Sequence, residues 1–273
     1  MKRFLRPVLL LALLVTLVGG AILAFRGAPT MAHPDPLPVA DGEHEIVWLY
    51  AATSASNWER FVGAAEWLKV RLVDLEIHTE KAFPPQTTAV PEVVLNWPAR
   101  QQRLLFRWYK LTSDWKTADW VAALARRPRP PLAIIGGNSS DTARDLAFRM
   151  REVCTALPLA SRPLLLLTNA TADRVPTEAS EGGPEATSNE AENLYGVALS
   201  QVYEGRTFRF CFTNRQMAAA VTQFIGNQPD LKPDTDPFHM VKWDDDSYSR
   251  DLIDGFGRAL RHLVAPDLAR DWA

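Results

Sequence analysis

The chain has 273 residues, 47% of them hydrophobic and 23% charged, with a net charge of −2. That composition fits a globular protein with a sizeable core and excludes a disordered or low-complexity chain. Without the four basic residues of the first 32 (Lys2, Arg3, Arg6, Arg26), 26 basic residues stand against 32 acidic ones, which argues against a nucleic-acid partner.

Lys2, Arg3 and Arg6 precede Pro7–Phe25, a run without charge. A basic start followed by an apolar run marks export. The run is long for a signal peptide and near the lower limit for a membrane span. Gly19-Gly20 interrupts it, and Thr30-Met31-Ala32 offers a small-x-small cleavage site. A cleaved signal peptide and an uncleaved membrane anchor over residues 1–32 both stay open. No Cys lies near the end of the run, so no lipid-modified N-terminus is expected. Residues 33–44, rich in Pro and polar side chains, read as a linker.

Ile46–Ala51 (IVWLYA) reads as the first buried strand. Thr53–Asn57 is a polar turn, and Trp58–Val73 has helical spacing through Trp58, Phe61, Val62, Ala65, Leu68 and Leu72. Trp48, Trp58, Trp67 and Trp120 fall on apolar faces and are expected in the core. Leu75–His78, Glu92–Trp97 and Arg103–Leu111 read as strands. A helix from about Asp114 to Arg126 is stopped by Pro128, Pro130 and Pro131.

Leu132–Ile135 is an apolar strand that ends at Gly136-Gly137. Asn138, Ser139 and Ser140 follow, and then a helical pattern over Asp141–Ala156. A strand, a glycine turn and a helix capped by a small hydroxyl residue leave free N–H groups where the helix dipole favours an anion. Pro163–Leu167 is another buried strand, ending in Thr168-Asn169-Ala170-Thr171. Pro176–Asn189 reads as an acidic loop, Leu194–Tyr203 as a short helix and Thr207–Phe212 as a strand. Gln216–Gly226 is helical, Asn227–Pro237 a linker, His239–Trp243 a strand and Ser247–Val264 a helix. Cys154 and Cys211 are expected as buried free thiols.

Apolar strands alternating with amphipathic helices predict an α/β fold: a three-layer, mostly parallel sheet with helices on both faces. Right-handed crossovers place the strand C-terminal ends on one edge, where open α/β sheets bind ligands. Thr53-Ser54, Asn138–Ser140, Asn169–Thr171 and Asp244–Tyr248 are all polar segments at such ends.

Other chemistry finds little to carry it. Asp244-Asp245-Asp246 lacks the alternating oxygens of a metal loop, and the five His residues show no metal-ligand spacing. The glycine turn lacks the Gly-Lys-Ser/Thr ending of a P-loop and the G-x-G-x-x-G dinucleotide pattern, and no G-x-S-x-G elbow occurs. No cofactor, metal or catalytic residue is expected, and the chain does not read as an enzyme.

The order Ile134-Ile135-Gly136-Gly137-Asn138-Ser139-Ser140, Thr168-Asn169-Ala170-Thr171, Phe208-Arg209 and Trp243-Asp244-Asp245-Asp246-Ser247-Tyr248 resembles type I periplasmic binding proteins. The resemblance covers residues 101 to 264. It is strongest to substrate-binding proteins of branched-chain amino-acid ABC transporters and related receptor ligand-binding regions. It implies ligand binding at Ser139 or Ser140, at Asn169 and Thr171 in the second turn, and at Tyr248, which would close from a second lobe. It further implies an amino-acid-like ligand, an ABC transporter permease as partner and a periplasmic location, with membrane contact through the N-terminal segment if uncleaved. Residues 45–238 then correspond to the first lobe and 239–273 to the start of an incomplete second one. The alternative is a membrane-anchored interaction domain of the same fold without ligand. The sequence departs from the family at Ser249, where Gly is usual, and at Leu75–Gln101, which is longer than the family's first crossover.

Overall fold

The first strand, β1 (Glu43–Ala51), sits at the centre of the sheet and explains its layering. Successive side chains point to opposite faces. Val47 and Leu49 enter one core with Tyr109, Val121, Leu124, Ile134, Leu146, Met150 and Leu165. Trp48 and Tyr50 enter the other, with Trp58, Val62, Ile77, Val93 and Trp108. Helices cover both faces, so β1 is apolar throughout Ile46–Ala51.

The computed structural model describes residues 35–177, 196–231, 240–243 and 245–260. Expectations for residues 1–32, for most of the acidic loop after Pro176, for most of the linker before Pro237, for His239 and Asp244 and for the helix beyond Leu260 lie outside these residues.

From β1 the chain passes through α1 (Ala55–Lys69), β2 (Glu76–His78), β3 (Glu92–Trp97), β4 (Gln102–Leu111), α2 (Thr117–Ala125), β5 (Ala133–Gly136), α3 (Ser140–Cys154) and β6 (Leu164–Leu167). It continues through β7 (Arg174–Val175), β8 (Val197–Ala198), α4 (Leu199–Val202), β9 (Thr207–Arg209), α5 (Asn214–Gly226) and α6 (Ser247–Leu260). The main sheet has the order β2-β3-β4-β1-β5-β6-β9, and β7 and β8 form a separate antiparallel pair. The five strands from β4 to β9 in that order are parallel, as expected.

The other side of the sheet is antiparallel: β3 pairs with β4 and β2 with β3. Only Pro98–Gln101 joins β3 to β4, and a connection that short permits only a hairpin. The fold is therefore a mixed, mostly parallel α/β sheet.

Other differences have local causes. β9 stops at Arg209 rather than Phe212, and Phe208, Phe210 and Phe212 are all exposed beside this sheet edge. Residues 240–243 form no strand, and Val241 and Trp243 lie exposed with no face to bury. Trp48, Trp58 and Trp120 are buried as expected, but Trp67 is 56% exposed because α1 turns that position away from the sheet. Residues 36–41 are fastened rather than free. Arg107 and Arg127 donate to the carbonyls of Pro38 (3.0 Å) and Leu37 (2.8 Å), and the Leu37 N–H donates to the Tyr109 hydroxyl (3.1 Å). Both cysteines are free, but only Cys154 is buried as expected, which raises its thiol to about 11; Cys211 is partly exposed beyond the end of β9.

Candidate functional site

Two glycines set the turn at the end of β5. A Cβ on Gly136 would strike Leu146 and lie 3.3 Å from the Leu49 carbonyl, so glycine permits close packing of α3 on the sheet. Gly137 has φ +74°, a conformation that a side chain disfavours. Ser139 then caps α3: its hydroxyl accepts from the Thr142 N–H (3.2 Å), while the Ser139 N–H donates to the Thr142 hydroxyl (3.0 Å). The Asn138 side-chain amide donates to the Ser54 hydroxyl at 3.2 Å, tying this turn to the one after β1.

The expected residues Ser139, Ser140, Asn169, Thr171 and Tyr248 all line one cleft of about 380 Å³, together with Asn138, Phe212, Met217 and Asp246. Their roles within it differ. Ser140 is buried, and its hydroxyl accepts from the Ala172 N–H (3.1 Å), so it mainly binds α3 to the loop after β6. The Thr171 hydroxyl has no partner among the described residues, while its carbonyl accepts from the Asn214 N–H at the start of α5 (2.7 Å). Asn169 is exposed, and Tyr248 is 40% exposed.

Three helices begin around this cleft, and their orphan N–H groups are treated differently. In α5 the first donors are consumed: Asn214 by Thr171, Arg215 by the Asp173 carboxylate (3.1 Å) and Gln216 by the Thr213 hydroxyl (3.2 Å). In α3 and α6 the first two N–H groups, of Ser140 and Asp141 and of Ser247 and Tyr248, lack intrahelical acceptors. Two helix dipoles therefore present positive ends here. Asp246 supplies the opposite sign, with one oxygen accepting from the Ser249 N–H (2.9 Å).

The α6 helix is fastened to the rest of this site. The Ser247 hydroxyl donates to Asp141 of α3 (2.5 Å), and the Asn214 amide donates to the Tyr248 carbonyl (3.1 Å). The Asp251 carboxylate accepts from the N–H groups of Asp173 (2.8 Å) and Arg174 (3.3 Å). Tyr248 thus stands in the cleft wall, on a helix, α6, that packs on α5. Phe212, Met217 and Asp246 escaped the sequence reading as site residues. The sequence places Phe212 in a strand, Met217 in a helical segment and Asp246 in the polar segment Asp244–Tyr248, without marking any of the three for the site.

Burial pushes the Asp251 carboxyl up; the Asp173 N–H pulls it back, and the Asp173 carboxylate adds to the rise. The native state then holds this proton more tightly than the unfolded chain does. Stability from Asp251 is lost as pH rises from the unfolded carboxylate value, about 4, through the native one. Asp251→Asn removes that titration. Denaturation of both forms across the acidic range should show the wild type gaining on the variant as pH falls, and parallel curves would refute it.

No family model and no curated protein matches this sequence. Among solved structures, the chain is similar to an ABC transporter substrate-binding protein from Desulfitobacterium hafniense in complex with Leu (12% identity, TM-score 0.48). It is also similar to a structure of an ABC transporter substrate-binding protein from the same organism (12%, 0.44). A third is the leucine-binding protein LivK from Thermotoga maritima (17%, 0.42). Each alignment covers 81% of this chain but only 48%, 48% and 46% of the other, so the chain spans about half the length of these structures.

Proposed function

We propose that this chain is an exported solute-binding protein that captures a small zwitterion, an amino acid or a close relative, without turning it over. One observation carries the reading: a single cleft joins two helix N-termini whose first N–H groups lack intrahelical acceptors, the Thr171 hydroxyl, unpartnered among the described residues, the Asp246 carboxylate and the apolar walls of Phe212 and Met217. The N–H groups and Thr171 suit a carboxylate. Asp246 suits an ammonium group and disfavours a bare anion. Phe212, Met217 and the Tyr248 ring suit an apolar side chain. In a periplasmic setting such a protein would deliver its ligand to an ABC transporter permease or a receptor.

The test is a thermal-shift screen of amino acids against the same carboxylates lacking the amino group, followed by calorimetry. A ligand at about 100 times its Kd should stabilise the fold by about 2.7 kcal/mol. Thr171→Ala should weaken binding by about 1–3 kcal/mol, as expected for a hydrogen bond to a charge. Asp246→Asn should erase the preference for the amino form. If no amino acid or carboxylate raises the melting temperature, the site does not bind this class, and the anchored interaction domain takes over.

A further inference from the structure

The edge of the sheet opposite the cleft carries a second feature. Glu76 pairs with Asn96, Asn96 with Arg103 and Arg103 with Glu43, so one row of residues marks this edge across four strands. The α1 helix runs back from the far end of β1 and delivers the segment 67–74 here, just before β2. On it Trp67, Val70, Leu72 and Val73 are exposed, Val73 by 98% and Val70 by 79%. These four residues fall within seven positions of the chain, and a monomeric soluble surface seldom exposes such a group without use.

Cations share this edge with them. Lys69 and Arg71 lie within the segment, and the Arg71 guanidinium stacks 3.6 Å from the centre of the Trp67 ring. Arg100 follows β3 and Arg126 follows α2 on the same edge, and both are exposed; of the nearby acids, Glu43 is paired with Arg103, Asp41 with Arg129 and Glu66 with the Thr79 hydroxyl, and Asp74 and Glu76 complete the set. Trp with aliphatic side chains and flanking Lys and Arg is the composition of a membrane–water interface. Only ten residues separate Phe25, the end of the apolar run, from Pro36. That is at most roughly 35 Å of extended chain, so a bilayer that holds the run lies within reach of this body.

From this we infer that the segment 67–73 is a lipid-contact surface that docks on anionic headgroups, with the ligand cleft on the edge turned away from the bilayer. Apolar side chains enter the interface and Lys69, Arg71, Arg100 and Arg126 meet lipid phosphates. Contact should weaken with salt, because the charges act near the surface.

The test is amide hydrogen exchange of the full chain reconstituted in vesicles of phosphatidylcholine mixed with phosphatidylglycerol, compared with phosphatidylcholine alone. Exchange over residues 67–74 should slow by about fivefold or more on the anionic vesicles. High salt, or the reversal Lys69→Glu with Arg71→Glu, should restore the faster rate, while residues 138–142 stay unchanged as a control for the fold. The proposal fails if the segment exchanges equally on both vesicles. It also fails if protection grows with protein concentration in detergent without vesicles, which would assign the surface to a second copy of the chain.

Discussion

Glu45→Ala should cost about 3–5 kcal/mol of stability, since removing one member of a buried ion cluster leaves its partners uncompensated. Glu45 is 2% exposed and accepts from the Tyr109 hydroxyl (3.1 Å) and from Arg107 (3.3 Å), and it pairs with Arg127. Arg107 is held further by Glu92 at 2.7 Å. Burial by itself would lower the Arg107 pKa, but Glu92 and Glu45 turn the shift upward. Burial raises Tyr109, and Glu45 adds to that. With the carboxylate gone, two buried guanidiniums keep only Glu92 and the carbonyls of residues 37 and 38. For a chain of this size each kcal/mol moves Tm by about 2–4 °C, so calorimetry should show a fall on the order of 10 °C. Glu43→Ala is the control: it pairs with the half-exposed Arg103 at the sheet edge and should cost under about 1 kcal/mol. If both variants matched the wild type, the cluster would contribute nothing to stability. The same variant should free residues 36–41 for proteolysis, because Arg107 and Arg127 hold that strap only while Glu45 positions them.

The sequence disclosed what local physics decides. An uninterrupted run such as Ile46–Ala51 can only be a strand covered on both faces, and Gly136-Gly137 before Ser139 can only turn into a capped helix. Those two readings fix the parallel half of the sheet and one wall of the cleft. Strand direction on the other half escaped because it rests on the Pro98–Gln101 connection, whose hairpin geometry leaves no period in the sequence. Trp67 was misplaced because helical spacing marks an apolar side chain without saying whether a partner surface lies opposite. The fastening of the helix that carries Tyr248 is not legible for a different reason. It depends on Ser247 meeting Asp141 and Asp251 meeting the backbone of residues 173 and 174, contacts of high sequence separation between common polar residues. Met217 and Phe212 join the cleft only because α5 starts at the Thr171 carbonyl, which is again a tertiary contact.

Gly137→Ala should damage stability and ligand capture together, and the link between the two is geometric. At φ +74° an alanine is strained by about 1–2 kcal/mol before any contact is counted. Its Cβ would then lie 2.5 Å from the Ala143 Cβ and 2.7 Å from the Ala143 Cα, both on the buried face of α3. Backbone cannot yield as a side chain does, so the first turn of α3 must move outward. That turn carries the Ser140 and Asp141 N–H groups proposed for the ligand carboxylate, and Asp141 also accepts from Ser247 of α6. The expected cost is about 2–4 kcal/mol in unfolding free energy, as for other overpacked or strained sites. Affinity should fall on the order of tenfold or more, because a shift near 1 Å breaks hydrogen bonds to a charge. Gly63→Ala is the comparison: that position lies on the exposed side of α1 with nothing within 4 Å of an added Cβ, so alanine there should be neutral or slightly stabilising. Equal stability of the two variants would mean that α3 can slide without cost. Intact binding in Gly137→Ala would separate the α3 N-terminus from the ligand and leave Asp246 and Thr171 to hold it alone.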